Sequence, residues 1–291
     1  MTVIKMNLTD INDIKSLLTR HGFRFSKSMG QNFLTAAWVP EDIADAAKLD
    51  SNTGVLEIGP GIGCLTQHLS YRAGKVVSIE LDSSLKPMLD ETVGIAENVE
   101  IVYGDVLKTD IPKLLNEKMP GMNYAVCANL PYNITGPVVS KLLECKCFDS
   151  ITIMIQREVA RRICANPGTA EYGAFTVFVN WYARPELLFD VPPSCFIPHP
   201  KVTSSVIRLQ CRKQPPIKVK SETLFMRVVK AAFAQRRKTL LNALSSGFSE
   251  LSKEIIEKCL SDIGINPKVR GETLSIGDFA KISDAFCNVL N

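Results

Sequence analysis

Long apolar runs are missing from this 291-residue chain. No uninterrupted apolar stretch approaches the roughly 18 residues that a membrane-crossing helix needs, so no span is expected. No apolar segment follows a basic start, so no secretory leader is expected. Histidine is scarce: only His21, His68 and His199 occur, none in a setting that suggests catalysis. His199 reads as a surface residue, and chemistry built on a histidine base is not expected. The nine cysteines are odd in number and scattered. Cys145 and Cys147 form a C-x-C with no second ligand pair nearby, so reduced thiols are expected rather than a metal centre. A reducing, cytoplasmic setting follows from that usage. No internal repeat or low-complexity tract occurs, which excludes a solenoid.

Apolar residues make up 46% and charged residues 22%, ample material for a core in about two domains. The net charge of +4 is mild but uneven. Between Arg208 and Lys238 ten Lys or Arg stand against one acid, Glu222. Such a segment suits a phosphate-rich partner, or forms a solvated basic face.

Along the chain, residues 11–20 read as a helix and 24–34 as a polar, basic loop. Buried strand patterns follow at 54–59, 75–80, 99–105, 124–130 and 150–156, separated by helical stretches near 63–71, 83–91 and 135–144. Strands alternating with helices imply an α/β fold with a parallel sheet covered on both faces. Two further strands, "ELLFDV" and "SSVIRLQ", flank the proline-rich 192–201 and suggest an antiparallel edge. Residues 211–222 read as a linker. Helical patterns then run near 222–234, 237–245, 250–262 and 276–288. The expected division is a first domain over 1–212 and a small all-helical domain over 213–291.

The first strand runs into Gly59-Pro60-Gly61-Ile62-Gly63. Glycine allows a sharp turn and close approach of the backbone to a ligand, so Gly59 and Gly61 are candidate ligand contacts. The dinucleotide pattern would need glycine at 64, where this chain has Cys64, so a pyrophosphate cradle is a poor fit. Glu80 ends the second strand, placed to accept hydrogen bonds from both ribose hydroxyls. Asp105 ends the third, where it can accept from an adenine amino group. Any one of these acids could be an ordinary surface carboxylate. Three consecutive strand ends carrying Gly, Glu and Asp imply a nucleoside cofactor without pyrophosphate.

These residues resemble S-adenosylmethionine-dependent methyltransferases. With "SKSMGQNFL", "EIGPGIGCLT", "ANLPYN", "FIPHPKVTSSV" and "AQRRKTLLNAL" in this order, the chain is similar to the ribosomal RNA adenine dimethylase family. The likeness is to its small-subunit branch, the kasugamycin-resistance type, from about residue 15 to about 286. The resemblance implies a Rossmann-like methyltransferase domain followed by a helical one. It implies that S-adenosyl-L-methionine is contacted by Asn32 and Leu34, lies against Gly59, and is held at its ribose by Glu80 and at its adenine by Asp105. Asn129 would sit at the methyl end. The implied substrate is a pair of adjacent adenosines near the 3′ end of small-subunit rRNA, each dimethylated at N6.

The stretch Ala128-Asn129-Leu130-Pro131-Tyr132-Asn133 suits that chemistry. An adenine amino lone pair is delocalised into the ring and must localise to attack a methyl group. The Asn129 side-chain oxygen and the Leu130 carbonyl can accept the two amino hydrogens and support a more tetrahedral nitrogen. Pro131 stiffens the turn, and Tyr132 can stack on the base. Phe196 is expected to cover the other face of the adenine, with a core-filling role as its bland alternative.

Lys27, Arg157, Arg161, Arg236, Arg237 and Lys238 are the expected RNA contacts, the last three at the start of a helix. Arg236 and Arg237 could instead form internal salt bridges. An immature small ribosomal subunit is the expected partner and a monomer the expected state. Competing readings are an RNA-binding assembly factor with methylation secondary, a large-subunit rRNA adenine methylase of the macrolide-resistance type, and a nicotinamide dehydrogenase.

Overall fold

A computed structural model describes residues 6–25 and 31–290. In chain order the elements are α1 (Ile11–Arg20), β1 (Phe33–Leu34), α2 (Trp38–Ala46), β2 (Thr53–Ile58), α3 (Cys64–Ser70), β3 (Lys75–Glu80), α4 (Lys86–Thr92), β4 (Val99–Tyr103), α5 (Ile111–Lys118), β5 (Asn123–Asn129), α6 (Thr135–Glu144), β6 (Ser150–Gln156), α7 (Arg157–Ile163), α8 (Ala174–Tyr182), β7 (Ala183–Val191), β8 (Phe196–Ile197), β9 (Ser204–Cys211), α9 (Glu222–Ala234), α10 (Leu240–Gly247), α11 (Lys253–Asp262) and α12 (Ile276–Leu290).

The strands form a seven-stranded sheet in the order β4-β3-β2-β5-β6-β9-β7. Parallel pairing joins β4 to β3, β3 to β2, β2 to β5 and β5 to β6, while β9 runs antiparallel to β6. Its central strands are rich in Val, Ile and Leu, as strands covered on both faces require. The chain builds outward from β2 to β4, then returns to start β5 on the other side of β2. That reversal makes a crevice at the carboxyl ends of β2 and β5, where such sheets bind ligands.

The described residues fall into two compact units: the chain up to Ala160 with Arg184–Cys211, and Arg161–Ala183 with the chain from Arg212 onward. The chain crosses between the units three times, the last time between Cys211 and Arg212. The excursion 161–183 was not anticipated by a single cut. Its apolar residues explain it: Tyr172, Val177 and Trp181 are buried in one core with Phe225, Val228, Leu244 and Phe279. The Trp181 ring stacks on Phe225 with centroids 4.0 Å apart.

Two local expectations are corrected. Residues 24–34 do not read as loop throughout, because Phe33–Leu34 form β1 and pair antiparallel with β8. Arg236, Arg237 and Lys238 do not start a helix; they lie in a turn closed by a Lys238 N–H bond to the Gln235 carbonyl at 2.9 Å. Helix α10 begins after Thr239, whose hydroxyl accepts from the Asn242 N–H. A hydroxyl satisfies an otherwise unpaired N–H of the first turn, whereas a basic side chain has no acceptor to offer.

Candidate active site

One cavity collects the carboxyl ends of β2, β3, β4 and β5, with about 1190 Å3 of space counting its open mouth. Asn32, Leu34, Gly59, Gly61, Glu80, Asp105, Asn129, Leu130, Pro131 and Tyr132 all line it. Ten residues expected at the site from separated stretches of sequence are therefore brought together.

The glycine loop works through its backbone. Gly59, Gly61 and Gly63 have φ of 69°, 60° and 88°, a region that favours glycine. At Gly63 an added Cβ would lie 2.7 Å from a Val93 methyl, so both conformation and space exclude a side chain. The Gly59 N–H donates to the Ile79 carbonyl at 2.9 Å, pinning the loop to the end of β3.

Glu80 is buried at the tip of β3. One oxygen accepts from the Asp82 N–H at 2.8 Å and the other from the Gly61 N–H at a long 3.4 Å. Burial pushes its pKa up, and the two backbone donors pull it partly back. Those bonds fix the carboxylate against the cavity wall while leaving acceptor capacity for hydroxyls. Asp105 accepts from the Leu107 N–H at 2.9 Å, and the Lys108 ammonium lies 4.0 Å away. Glu80 and Asp105 thus bring two carboxylates to the ends of adjacent strands, with apolar Leu81 and Val106 in the same lining.

Asn129 ends β5 in register with Met154 of β6. The Leu130 N–H donates to the Met154 carbonyl at 3.1 Å, so the chain leaves the sheet only after residue 130. Pro131, with φ of −57°, turns it into a short 3-10 helix over Tyr132–Ile134, directly before α6. The Tyr132 ring is half-buried, its hydroxyl 2.6 Å from Ser204 Oγ, and burial raises the phenol's pKa.

Phe196 departs from expectation. It is 1% exposed, belongs to the core with Phe33, Leu34 and Cys195, and does not line the cavity. Pairing of Leu34 with Phe196 in the β1–β8 ribbon draws the ring inward. The ring has no face open to the cavity in this structure, an arrangement that fits the core-filling alternative.

The basic residues are dispersed. Lys27 lies outside the described residues. Arg157 and Arg161 are exposed, and Arg157 faces Asp190 at 3.6 Å. Arg236 bonds the Ala170 carbonyl and faces Glu272 at 3.8 Å, an internal contact of the second unit. Arg237 and Lys238 are exposed.

Several lining residues escaped the sequence reading: Gln31, Glu57, Leu81, Asp82 and Val106. Gln31 donates to Asp82 at 2.7 Å, and Glu57 takes the hydroxyls of Ser78 and Thr66 at 2.6 and 2.7 Å. Glu57 had a legible signal, an acid inside an otherwise apolar strand two residues before Gly59.

A mostly parallel sheet with a glycine turn after β2 and acids at the tips of β3 and β4 defines a Rossmann-like methyltransferase. The model of the ribosomal RNA adenine dimethylase family matches residues 22–287, and the chain belongs to that family. It is 49% identical over 270 residues to the ribosomal RNA small subunit methyltransferase A of Alkaliphilus metalliredigens (strain QYMF), covering 92% of this chain and 94% of that one. It is 46% identical over 279 residues to the protein of the same name from Bacillus cereus (strain B4264), covering 94% and 95%. Among solved structures, a dimethyladenosine transferase from Plasmodium falciparum superposes with a TM-score of 0.72 at 27% identity, covering 86% and 95%. The 23S rRNA methyltransferase ErmE does so with 0.66 at 26%, covering 87% and 98%. The chain is an S-adenosylmethionine-dependent rRNA adenine dimethyltransferase acting on small-subunit rRNA. Among the described residues no helix is long and apolar enough to cross a membrane.

Proposed function

We propose that this enzyme dimethylates N6 of two adjacent adenosines near the 3′ end of the small-subunit rRNA, using Asn129, Leu130 and Tyr132 to present each amine. The observation that carries the reading is one cavity lined both by the Glu80 and Asp105 carboxylates and by the Asn129–Tyr132 turn. Glu80 accepts from the ribose hydroxyls and Asp105 from the adenine amino group. Asn32, Leu34, Gly59 and Gly61 bring backbone and apolar surface against the rest of the cofactor. Bound there, S-adenosylmethionine supplies an electrophilic methyl carbon.

The chain's own contribution to the chemistry is orientation. Asn129 and the Leu130 carbonyl take the amino hydrogens, which localises the nitrogen lone pair and aims it. Interactions that strengthen as the nitrogen becomes tetrahedral favour the transition state over the bound base. Tyr132 stacks on the base, a contact worth roughly 1–3 kcal/mol. A monomethylated amine keeps one N–H, so the same acceptors can present it again.

The partner is an immature small ribosomal subunit in the cytoplasm, met by a monomer, with Arg157, Arg161, Arg237 and Lys238 offering charge to phosphates. Incubation with labelled S-adenosylmethionine and immature small subunits, followed by nucleoside analysis, tests this. Labelled N6,N6-dimethyladenosine is expected; label confined to other nucleosides would overturn it.

A further inference from the structure

We infer that Ser204 is a positioning residue for methyl transfer: it holds the Tyr132 ring at the angle the target base stacks on. This rests on the stacking role proposed for Tyr132. Ser204 Oγ and Tyr132 Oη lie 2.6 Å apart. Ser204 is fully buried and is the first residue of β9, in register with Gln156 of β6. Its neighbours are anchored too. The Thr203 carbonyl accepts from the Arg157 N–H at 3.0 Å, and the Ser205 hydroxyl donates to Asp190 at 2.5 Å. The hydroxyl that meets Tyr132 thus belongs to the rigid sheet.

Tyr132 itself has no such support. It opens a three-residue 3-10 turn, where no repeating backbone ladder fixes its side chain. A tyrosine ring turns about two torsions, and the terminal one is broad. A hydrogen bond at the far end of the ring stops the tip from swinging about the first torsion; the hydroxyl oxygen lies on the axis of the second, which the bond biases through the preference of a phenol's hydrogen bonds for the ring plane. An offset stack between ring and base depends on that plane.

The same segment that was expected to supply a second aromatic face therefore acts differently. Phe196 sits in the core at one end of it, paired with Leu34, and Ser204 fixes Tyr132 at the other.

The test compares Ser204→Ala, Tyr132→Phe, the double variant and Tyr132→Ala on immature small subunits. Ser204→Ala and Tyr132→Phe remove the same bond from opposite ends. Each should lower kcat about tenfold with cofactor affinity unchanged, and the double variant should be no worse than either single one. The ratio of N6-monomethyl to N6,N6-dimethyl product should rise in all three, since a loosened ring presents the amine less well at each transfer. Loss of folded enzyme alone would lower the active fraction, counted by cofactor-binding stoichiometry, and leave that ratio unchanged. An unaltered kcat and product ratio in Ser204→Ala, or losses that multiply in the double variant, would overturn the inference. Wild-type activity in Tyr132→Ala would instead overturn the stacking role beneath it.

Discussion

The Ser78 hydroxyl donates to Glu57 Oε2 at 2.6 Å, and the Thr66 hydroxyl donates to the same oxygen at 2.7 Å. Glu57 is 1% exposed yet lines the cofactor cavity. Burial pushes its pKa from 4.5 to about 7; the two hydroxyls pull it down, and the charge of Glu80 pushes it up. The folded state therefore holds this proton more tightly than the unfolded chain does. The stability it contributes is full below pH 4.5 and is lost as pH rises to about 7. The shift corresponds to no more than about 3 kcal/mol. Glu57→Gln keeps an acceptor for both hydroxyls and cannot ionise. Its denaturant-unfolding stability, without cofactor, should gain on the wild type across that window and run parallel above it. Equal slopes in both proteins would show that Glu57 does not titrate there.

Glu80→Ala should weaken S-adenosylmethionine binding by about 10- to 100-fold, since hydrogen bonds to a charged acceptor are worth roughly 1.5–3 kcal/mol. Isothermal titration reads this directly. Unchanged affinity would remove the ribose role from Glu80.

Asn129→Ala should lower kcat by about 100-fold, the scale of losing one group aimed at a transition state. Affinity for the cofactor should fall much less, because the side chain is assigned to the amine. Single-turnover methylation alongside titration separates the two. A loss confined to cofactor affinity would reassign the residue.

Phe196→Ala should cost about 3–5 kcal/mol of stability, as deleting a buried ring does. Thermal unfolding would detect it. Phe196→Leu should restore most of the stability and keep base methylation, because volume rather than an aromatic face is what the core uses there. Inactive but fully stable Phe196→Leu would return the ring to the substrate.

Arg237→Ala and Lys238→Ala should each weaken RNA binding evenly across sequences and flatten the dependence of log affinity on log salt by about one unit. Filter binding over a salt series measures the slope. A slope unaltered in both variants would place the RNA elsewhere.

Strand and helix periodicity made the methyltransferase sheet legible, because buried parallel strands are apolar runs bounded by turns. Gly59, Glu80, Asp105 and Asn129 were legible for the same reason, since each lies at a strand end. Residues whose role depends on a partner far along the chain were not. Nothing near Phe196 says that Leu34 will pair with it, and nothing near Ser204 says that Tyr132 will reach it. The placement of 161–183 with the C-terminal helices likewise rests on Trp181 finding Phe225.

By itself the sequence determined the alternation of strands and helices, the backbone freedom of the glycine turn and the acids at the strand tips, all properties of local chain geometry. Only the tertiary structure decided which rings are open to a ligand and which are core, where the basic turn before α10 sits, and that a buried acid shares the cavity. Burial and hydrogen bonding between distant residues set those outcomes, and they exist only once the chain has closed on itself.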